Sequence, residues 1–230
     1  MTMRIAVFAS GGGSNLQALI DRFNGERDVG ARVALVVTDR PCDALERADR
    51  AGIERVLIPA RGAEPEQLAF ATLAALEAAA IDLIALAGYL QLVPASVVER
   101  YRGRIVNIHP ALLPAFGGPG MYGLRVHRAV LRAGVRTTGA TVHFVDERYD
   151  EGRPIAQWPV PVLPSDSADT LGRRVLRVEH LLYPTAIERL VRELQGEVPS
   201  DPPDYQFATA MPDAPLRNVM RRAFGLPEEE

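Results

Sequence analysis

Cysteine is nearly absent from this 230-residue chain, with Cys42 the only one. One thiol closes no internal disulfide and builds no cysteine-based zinc site, so neither is expected to hold the fold. No apolar run reaches the roughly 18 residues that a membrane-spanning helix needs. The opening "MTMRIAVFAS" lacks a charged segment followed by an apolar stretch and a cleavage site, so secretion is not expected. Neither sign of charge is in excess: 26 Lys and Arg against 29 Asp and Glu give a formal charge of −3. Bulk basicity therefore draws the chain neither to nucleic acid nor to an anionic membrane, although a local pocket for one phosphate stays open. A cytoplasmic enzyme or binding protein acting on small molecules is the expectation.

What is present is ordinary globular composition, 47% hydrophobic and 24% charged. The length suits one large domain, or one domain with an appendage. "RIAVFAS" (4–10) is a short apolar run ending in "GGGSN", after which Leu16, Leu19, Ile20 and Phe23 recur at helical spacing. Further strands are predicted at 32–38, 54–60, 81–88 and 104–110, and helices at 43–52, 65–80 and 94–101. Strands alternating with helices predict right-handed crossovers and an α/β, doubly wound, mostly parallel sheet. Ligands of such sheets bind outside the carboxyl ends of the strands. The pattern then changes. A glycine-rich loop (116–123) and a helix stopped by Gly134 lead to two strands, 138–147 and 154–163. These are joined by a turn around Asp150 and Gly152 and are expected to be antiparallel. A long helix (167–195) follows. Residues 1–195 are thus expected to form one domain and 196–230 a proline-rich extension. In the extension Leu216, Val219, Met220 and Phe224 share one helical stripe, fit to pack on the domain or on a partner subunit. A homodimer is compatible with that stripe.

Three stretches carry candidate chemistry. Ser10 to Asn15, "SGGGSN", is a glycine turn opening a helix, where backbone N–H groups and the positive helix end face an anion. A dinucleotide fingerprint would place a third glycine where Leu16 stands. Ser14 and Asn15 offer donors to a terminal phosphate. A phosphomonoester site is the favoured reading, with a structural tight turn and a dinucleotide site as alternatives. Asp39 reads as a ribose-binding acid or, more simply, as a turn or N-cap residue. In "IVNIHPALLP" (105–114), Asn107 and His109 leave the same face of a buried strand about 7 Å apart. Burying them unpaired would cost a few kcal/mol, and their place at the ligand edge makes them candidate catalytic groups. In "HFVDERYDEG" (143–152), His143 shares a face with Thr141, and Asp150 lies in the turn beyond. A carboxylate near His109 would favour the imidazolium and could hold a proton-relaying water. The turn also carries Asp146, Glu147 and Glu151, and spacing alone does not choose among them; a solvated turn is the bland reading.

With "GGGSNLQALID", "LAGYLQLVP", "VNIHPALLPAF", "VHRAV", "TGATVHFVDERYDEG" and "VEHLLYP" in this order, the chain resembles the phosphoribosylglycinamide formyltransferase family, folate-dependent enzymes of purine synthesis. The resemblance spans roughly residues 4–195 and implies a Rossmann-like formyltransferase fold. It implies formyl transfer from 10-formyltetrahydrofolate, as co-substrate and with no metal, to the amino group of glycinamide ribonucleotide. It implies catalytic roles for Asn107, His109 and Asp150, and binding of the nucleotide by Gly13, Ser14, Asn15 and Glu179. Folate would be held by Leu90, Gln91, Leu92 and Val93, by Asn107, and by Asp146, Glu147, Arg148, Tyr149 and Asp150. Thr141 and His143 match neighbours of the catalytic cluster.

The chain departs from the family in two places. Pro65 stands where the family often has an arginine near the folate's glutamate tail, with Arg61 a few residues earlier. The loop 116–123 is longer than in the shortest members. The closest rival functions use the same folate and the same three residues. A methionyl-tRNA formyltransferase would need a further RNA-binding domain, and a formyltetrahydrofolate hydrolase typically has an N-terminal regulatory domain. A non-catalytic nucleotide sensor would have no use for Asn107, His109 and Asp150 together.

Overall fold

The computed structural model describes residues 2–26, 28–197 and 213–228. Its strands are β1 (Met3–Ala9), β2 (Ala31–Thr38), β3 (Glu54–Leu57), β4 (Leu83–Leu86), β5 (Ile105–His109), β6 (Thr137–Phe144) and β7 (Pro154–Pro161). Its helices are α1 (Ser14–Phe23), α2 (Asp43–Arg50), α3 (Pro65–Ala78), α4 (Ala95–Arg100), α5 (Leu124–Ala133), α6 (Ala168–Leu194) and α7 (Asp213–Ala223). The strands form one sheet of order β3-β2-β1-β4-β5-β6-β7. β1 to β5 pair in parallel and β6 pairs with β7 antiparallel. The expected doubly wound, mostly parallel sheet with an antiparallel C-terminal pair is therefore the observed one. By Cα proximity the chain separates into two compact units, Met1–Asn107 with Phe144–Gly152, and Ile108–His143 with Arg153–Glu230.

In the first unit the inner strands are apolar throughout because helices cover both faces. Ile5 to Ala9 of β1 and Leu83 to Ala85 of β4 are essentially inaccessible to solvent. β3 is the edge strand, and three of its four residues are exposed. Pro65 occupies the first turn of α3, where its missing N–H has no intrahelical partner to lose.

In the second unit α6 begins at a capping box: Ser167 Oγ accepts from Thr170 N, and Thr170 Oγ1 accepts from Ser167 N. Just before it, the Asp166 carboxylate takes both Nη atoms of Arg174 at 2.7 Å, the Leu163 N–H at 2.8 Å and the Thr170 hydroxyl at 2.9 Å. The Arg174 guanidinium holds this carboxyl far below the usual carboxylate range, against an opposing effect of burial. A depressed folded-state pKa stabilises the fold above the unfolded value, near 4, and that contribution fades as pH falls through the folded value. The loss of melting temperature on Asp166→Asn should accordingly be full at neutral pH and shrink below about pH 4. A loss that stays constant with pH would mean the charge contributes nothing.

α7 lies against α6 in the same unit. Leu216, Met220, Phe224 and Leu226 are buried, so the expected stripe is a packing face, with Val219 half-buried at its margin. Arg221 Nη1 and Nη2 donate to the Glu188 carboxylate of α6 at 2.8 and 3.1 Å, and Arg221 Nε to the Pro227 carbonyl at 2.7 Å. Arg189 Nη1 donates to the Phe224 carbonyl at 3.2 Å. Glu188, Arg189 and Arg221 are each more than nine-tenths buried.

Candidate active site

In the first unit the glycine turn leads from β1 into α1. Gly13 is left-handed (φ 67°, ψ 30°) and starts the helix without a side-chain cap. A Cβ at Gly13 would be strained and would lie 3.1 Å from Ala44 Cα and Arg47 Cδ of α2, so this position needs glycine. At Gly11 and Gly12 an added Cβ would meet nothing within 4 Å. Open space therefore lies over the backbone entering a helix N-terminus, a place electrostatically fit for an anion. Ser14 opens α1 and Asn15 is buried in its first turn. Arg47 Nε donates to the Gly12 carbonyl at 2.7 Å and Nη1 to Gln17 Oε1 at 3.1 Å. That guanidinium beside the turn escapes sequence reasoning, because in the α2 pattern Arg47 looks like one more solvated charge.

The stretch after β4 is tied to the ends of β1 and β2. Ala87 N donates to the Phe8 carbonyl at 2.8 Å, Ser10 N to the Gly88 carbonyl at 3.2 Å, and Leu90 N to Ser10 Oγ at 3.0 Å. Leu90 and Leu92 stay 39% and 47% exposed while Val93 is buried, so the loop offers apolar side chains to solvent. Asp39 stands in the turn after β2 but caps no helix: Cys42 is the N-cap of α2, with no side-chain cap bond. Its carboxylate instead accepts from Arg40 and Gln91. Burial, together with the Asp39 charge, pushes the Tyr89 phenol up to about 12.

Asn107 is half-buried on β5, in register with Leu86 of β4. In the turn 146–150, Asp146 Oδ1 accepts from Arg148 N at 2.8 Å. Glu147, Arg148 and Tyr149 are exposed, and Asp150 is half-buried in the left-handed region at φ 57°. Gly152 closes this turn so tightly that a Cβ would collide with the Phe144 carbonyl group, which is why glycine follows the acidic run.

In the second unit His109 ends β5 and is buried. Its Nε2 lies 2.9 Å from the Phe116 carbonyl. A carbonyl only accepts, so Nε2 carries the proton. Thr141 of β6 fixes the chain just after His109. Its hydroxyl donates to the Ala111 carbonyl at 2.7 Å and accepts from Leu113 N at 3.0 Å and Gln157 Nε2 at 3.1 Å. Gln157 Nε2 also donates to the Leu113 carbonyl at 2.8 Å. Gln157 is another residue that sequence reasoning passes over, although a lone amide in an otherwise apolar strand was an available signal. Two places upstream of Thr141, a Cβ on Gly139 would collide with the Trp158 carbonyl and lie 2.9 Å from Leu112 Cγ. His143 and Glu179 are buried, on β6 and α6. His127 of α5 is buried too, and burial, with the nearby His109, lowers its pKa, keeping it neutral.

The expected site residues thus fall into two sets. Gly13, Ser14, Asn15, Leu90 to Val93, Asn107 and Asp146 to Asp150 belong to the first unit, and His109, Thr141, His143 and Glu179 to the second. β5 is the strand that carries both Asn107 and His109. Among the described residues no cluster of three or more His, Cys, Asp or Glu is arranged to hold a metal ion, and no helix is long and apolar enough to cross a membrane.

The parallel α/β sheet with an open glycine turn after its first strand, and an Asn and a His at the end of its fifth, is shared with a known family. Residues 3–187 match the Formyl transferase family, and the chain belongs to it. The chain is 43% identical over 191 residues to a chloroplastic phosphoribosylglycinamide formyltransferase of Vigna unguiculata, covering 83% of this chain but 61% of that protein's length. It is 40% identical to the phosphoribosylglycinamide formyltransferase of Bacillus subtilis, covering 82% of this chain and 94% of the relative. Among solved structures, glycinamide ribonucleotide transformylase 1 from Symbiobacterium toebii superposes with a TM-score of 0.77 at 42% identity, covering 84% of this chain and 89% of that one.

Proposed function

We propose that this protein transfers a formyl group from 10-formyltetrahydrofolate to the amino group of N1-(5-phospho-D-ribosyl)glycinamide. The observation that carries the reading is the glycine turn, open at Gly11 and Gly12 and entering α1 at the uncapped Gly13, with Arg47 beside it, in a member of the Formyl transferase family. Such a turn suits an acceptor that carries a phosphate. The similarity to proteins named for this reaction points the same way. The single cysteine fits a cytoplasmic setting.

In the reaction the acceptor nitrogen attacks the formyl carbon and a C–N bond forms. The carbonyl oxygen becomes an oxyanion, the bond to N10 of the folate breaks, and a proton passes from the attacking to the leaving nitrogen. We assign the Asn107 amide and protonated His109 as donors to the oxyanion, each worth about 3 kcal/mol in groups of this kind. Asp150 favours the charged imidazole and carries the proton, directly or through water. The phosphate, held at Gly13, Ser14 and Asn15 with Glu179 on the nucleotide, fixes the amine and lowers the entropic cost of alignment. The folate occupies the Leu90–Val93 loop and the turn 146–150. Thr141 acts on this site by setting the chain after His109, and His143 supports it from the same strand. Polar donors supply the charge stabilisation, so no metal is required.

Incubation with 10-formylfolate and each candidate acceptor, followed by the absorbance of the deformylated folate, tests this. Release only with the phosphoribosylated glycinamide is expected. Release without any acceptor would make the protein a hydrolase, and no release with any acceptor would leave a nucleotide-binding domain.

A further inference from the structure

The chemistry above leaves one buried charge unused. Asp39, at the carboxyl end of β2, has a side chain only 2% exposed. Its Oδ2 accepts from Arg40 Nη2 at 2.6 Å, Arg40 Nε at 3.0 Å and Gln91 Nε2 at 3.0 Å. Arg40 is its neighbour in sequence and is half exposed, so pairing with Arg40 alone would not require the carboxylate to be withdrawn from water. Burying a carboxylate is costly unless its partners need it there. The remaining partner, Gln91, lies 52 residues away in the loop after β4. Ser10 joins the same group: its Oγ accepts from Leu90 N, its N–H donates to the Gly88 carbonyl, and its hydroxyl stands near the Asp39 carboxylate. Burial raises the Asp39 pKa, but Arg40, Ser10 and Gln91 outweigh it and hold the carboxyl below its ordinary value, so it is an anion at neutral pH. The segment 88–91 is thus fastened on two sides, with Ser10 gripping its backbone and Asp39 gripping the one long polar side chain it carries. Its apolar residue Leu90, and Leu92 beyond, stay largely in solvent. Such a loop has its backbone fixed in advance of a ligand and its apolar side chains left uncovered.

We propose that Asp39 is a positioning residue for the folate: acting through Gln91 and alongside Ser10, it presets the backbone of the Leu90–Val93 loop on which the folate is placed. This rests on the formyl-transfer reading given above. A carboxylate in this place offers its partner a charge-assisted hydrogen bond, about twice as strong as a neutral one. Gln91 in turn has one donor committed to Asp39, which sets the side-chain rotamer and with it the backbone at the pocket rim.

The test compares Asp39→Ala, Asp39→Asn, Gln91→Ala and the Asp39→Ala/Gln91→Ala double variant in steady-state kinetics. Expected is a rise of roughly tenfold in KM for the folate donor on losing the charge-assisted bond, with kcat at saturation and KM for the phosphorylated acceptor unchanged. The double variant should be no worse than the worse single one, because both remove the same tie. Asp39→Asn, which keeps an acceptor without the charge, should fall between. Equal rises in both KM values would mean a general structural role and overturn the proposal, as would additive effects or a silent Gln91→Ala. Should Asp39→Ala fail to fold, Asp39→Asn alone and combined with Gln91→Ala completes the same comparison, since it removes the charge from the bond and keeps the bulk of the side chain. Titration of the wild type with the folate separates this question from the parent reading. A wild type that neither binds nor deformylates the folate defeats the function itself, whereas normal wild-type turnover with unaltered variants defeats only the role of Asp39.

Discussion

Asp150→Asn is expected to lower kcat by roughly 10²–10⁴-fold while leaving the acceptor's KM close to that of the wild type. The size is what a positioned general acid–base group supplies, and the asymmetry follows from the role proposed for it. The carboxylate acts when a proton moves between nitrogens and when charge gathers on the imidazole, both of which happen after the acceptor is seated. An amide has the shape of the carboxylate but neither its charge nor its basicity. The left-handed backbone at this position (φ 57°) makes asparagine the right replacement, since Asn tolerates that conformation better than other residues and the turn should keep its form. Steady-state kinetics with the phosphorylated amine at saturating folate is the measurement. A parallel loss in kcat and in acceptor affinity would indicate a binding role, and near-normal turnover would remove Asp150 from the chemistry.

Arg221→Ala is the second substitution with a large expected effect, here on stability. It strips a buried carboxylate, Glu188, of two charge-assisted hydrogen bonds. Removing one member of a buried ion pair costs about 3–5 kcal/mol, because the survivor is left charged and dry. For a chain of this size that corresponds to a melting temperature lower by roughly 6–20 °C. Loss of the Arg221 bond to the Pro227 carbonyl acts in the same direction. Replacing both partners by methionine should recover most of the loss, since an apolar pair of similar bulk leaves no orphaned charge. If Arg221→Ala melts like the wild type, α7 is held by its apolar stripe and the ion pair adds nothing.

The element order was legible because apolar runs and helical spacing repeat cleanly from Arg4 to His109. Strand ends were not. The run 81–88 looks like one strand, yet β4 covers only Leu83–Leu86. The two residues before it are spent elsewhere: Ile81 N closes the end of α3 on the Leu76 carbonyl, and the Asp82 carboxylate accepts from Arg4 N. Likewise 54–60 shortens to Glu54–Leu57 as the chain leaves the sheet edge. Of the candidate site, the glycine turn and the Asn107–His109 pair could be seen because their signals are local, namely a run of glycines and two polar residues interrupting an apolar strand. The bonds of Asp39 to Gln91, Arg47 to Gly12, and Thr141 to the chain after His109 join residues 28 to 52 positions apart. Nothing in one stretch of sequence announces its partner in another. The cap role read for Asp39 fails for that reason: its neighbours along the chain fit a helix start, and its true partner lies across the sheet edge.

The locked C-terminal helix also bears on where this domain ends. The match to the Formyl transferase family ends at residue 187, one position short of Glu188 and two short of Arg189, the side chains that fasten α7. A boundary drawn at that residue would cut α6 before its end and discard its clasp. The folded body extends beyond that match, through the buried stripe of α7.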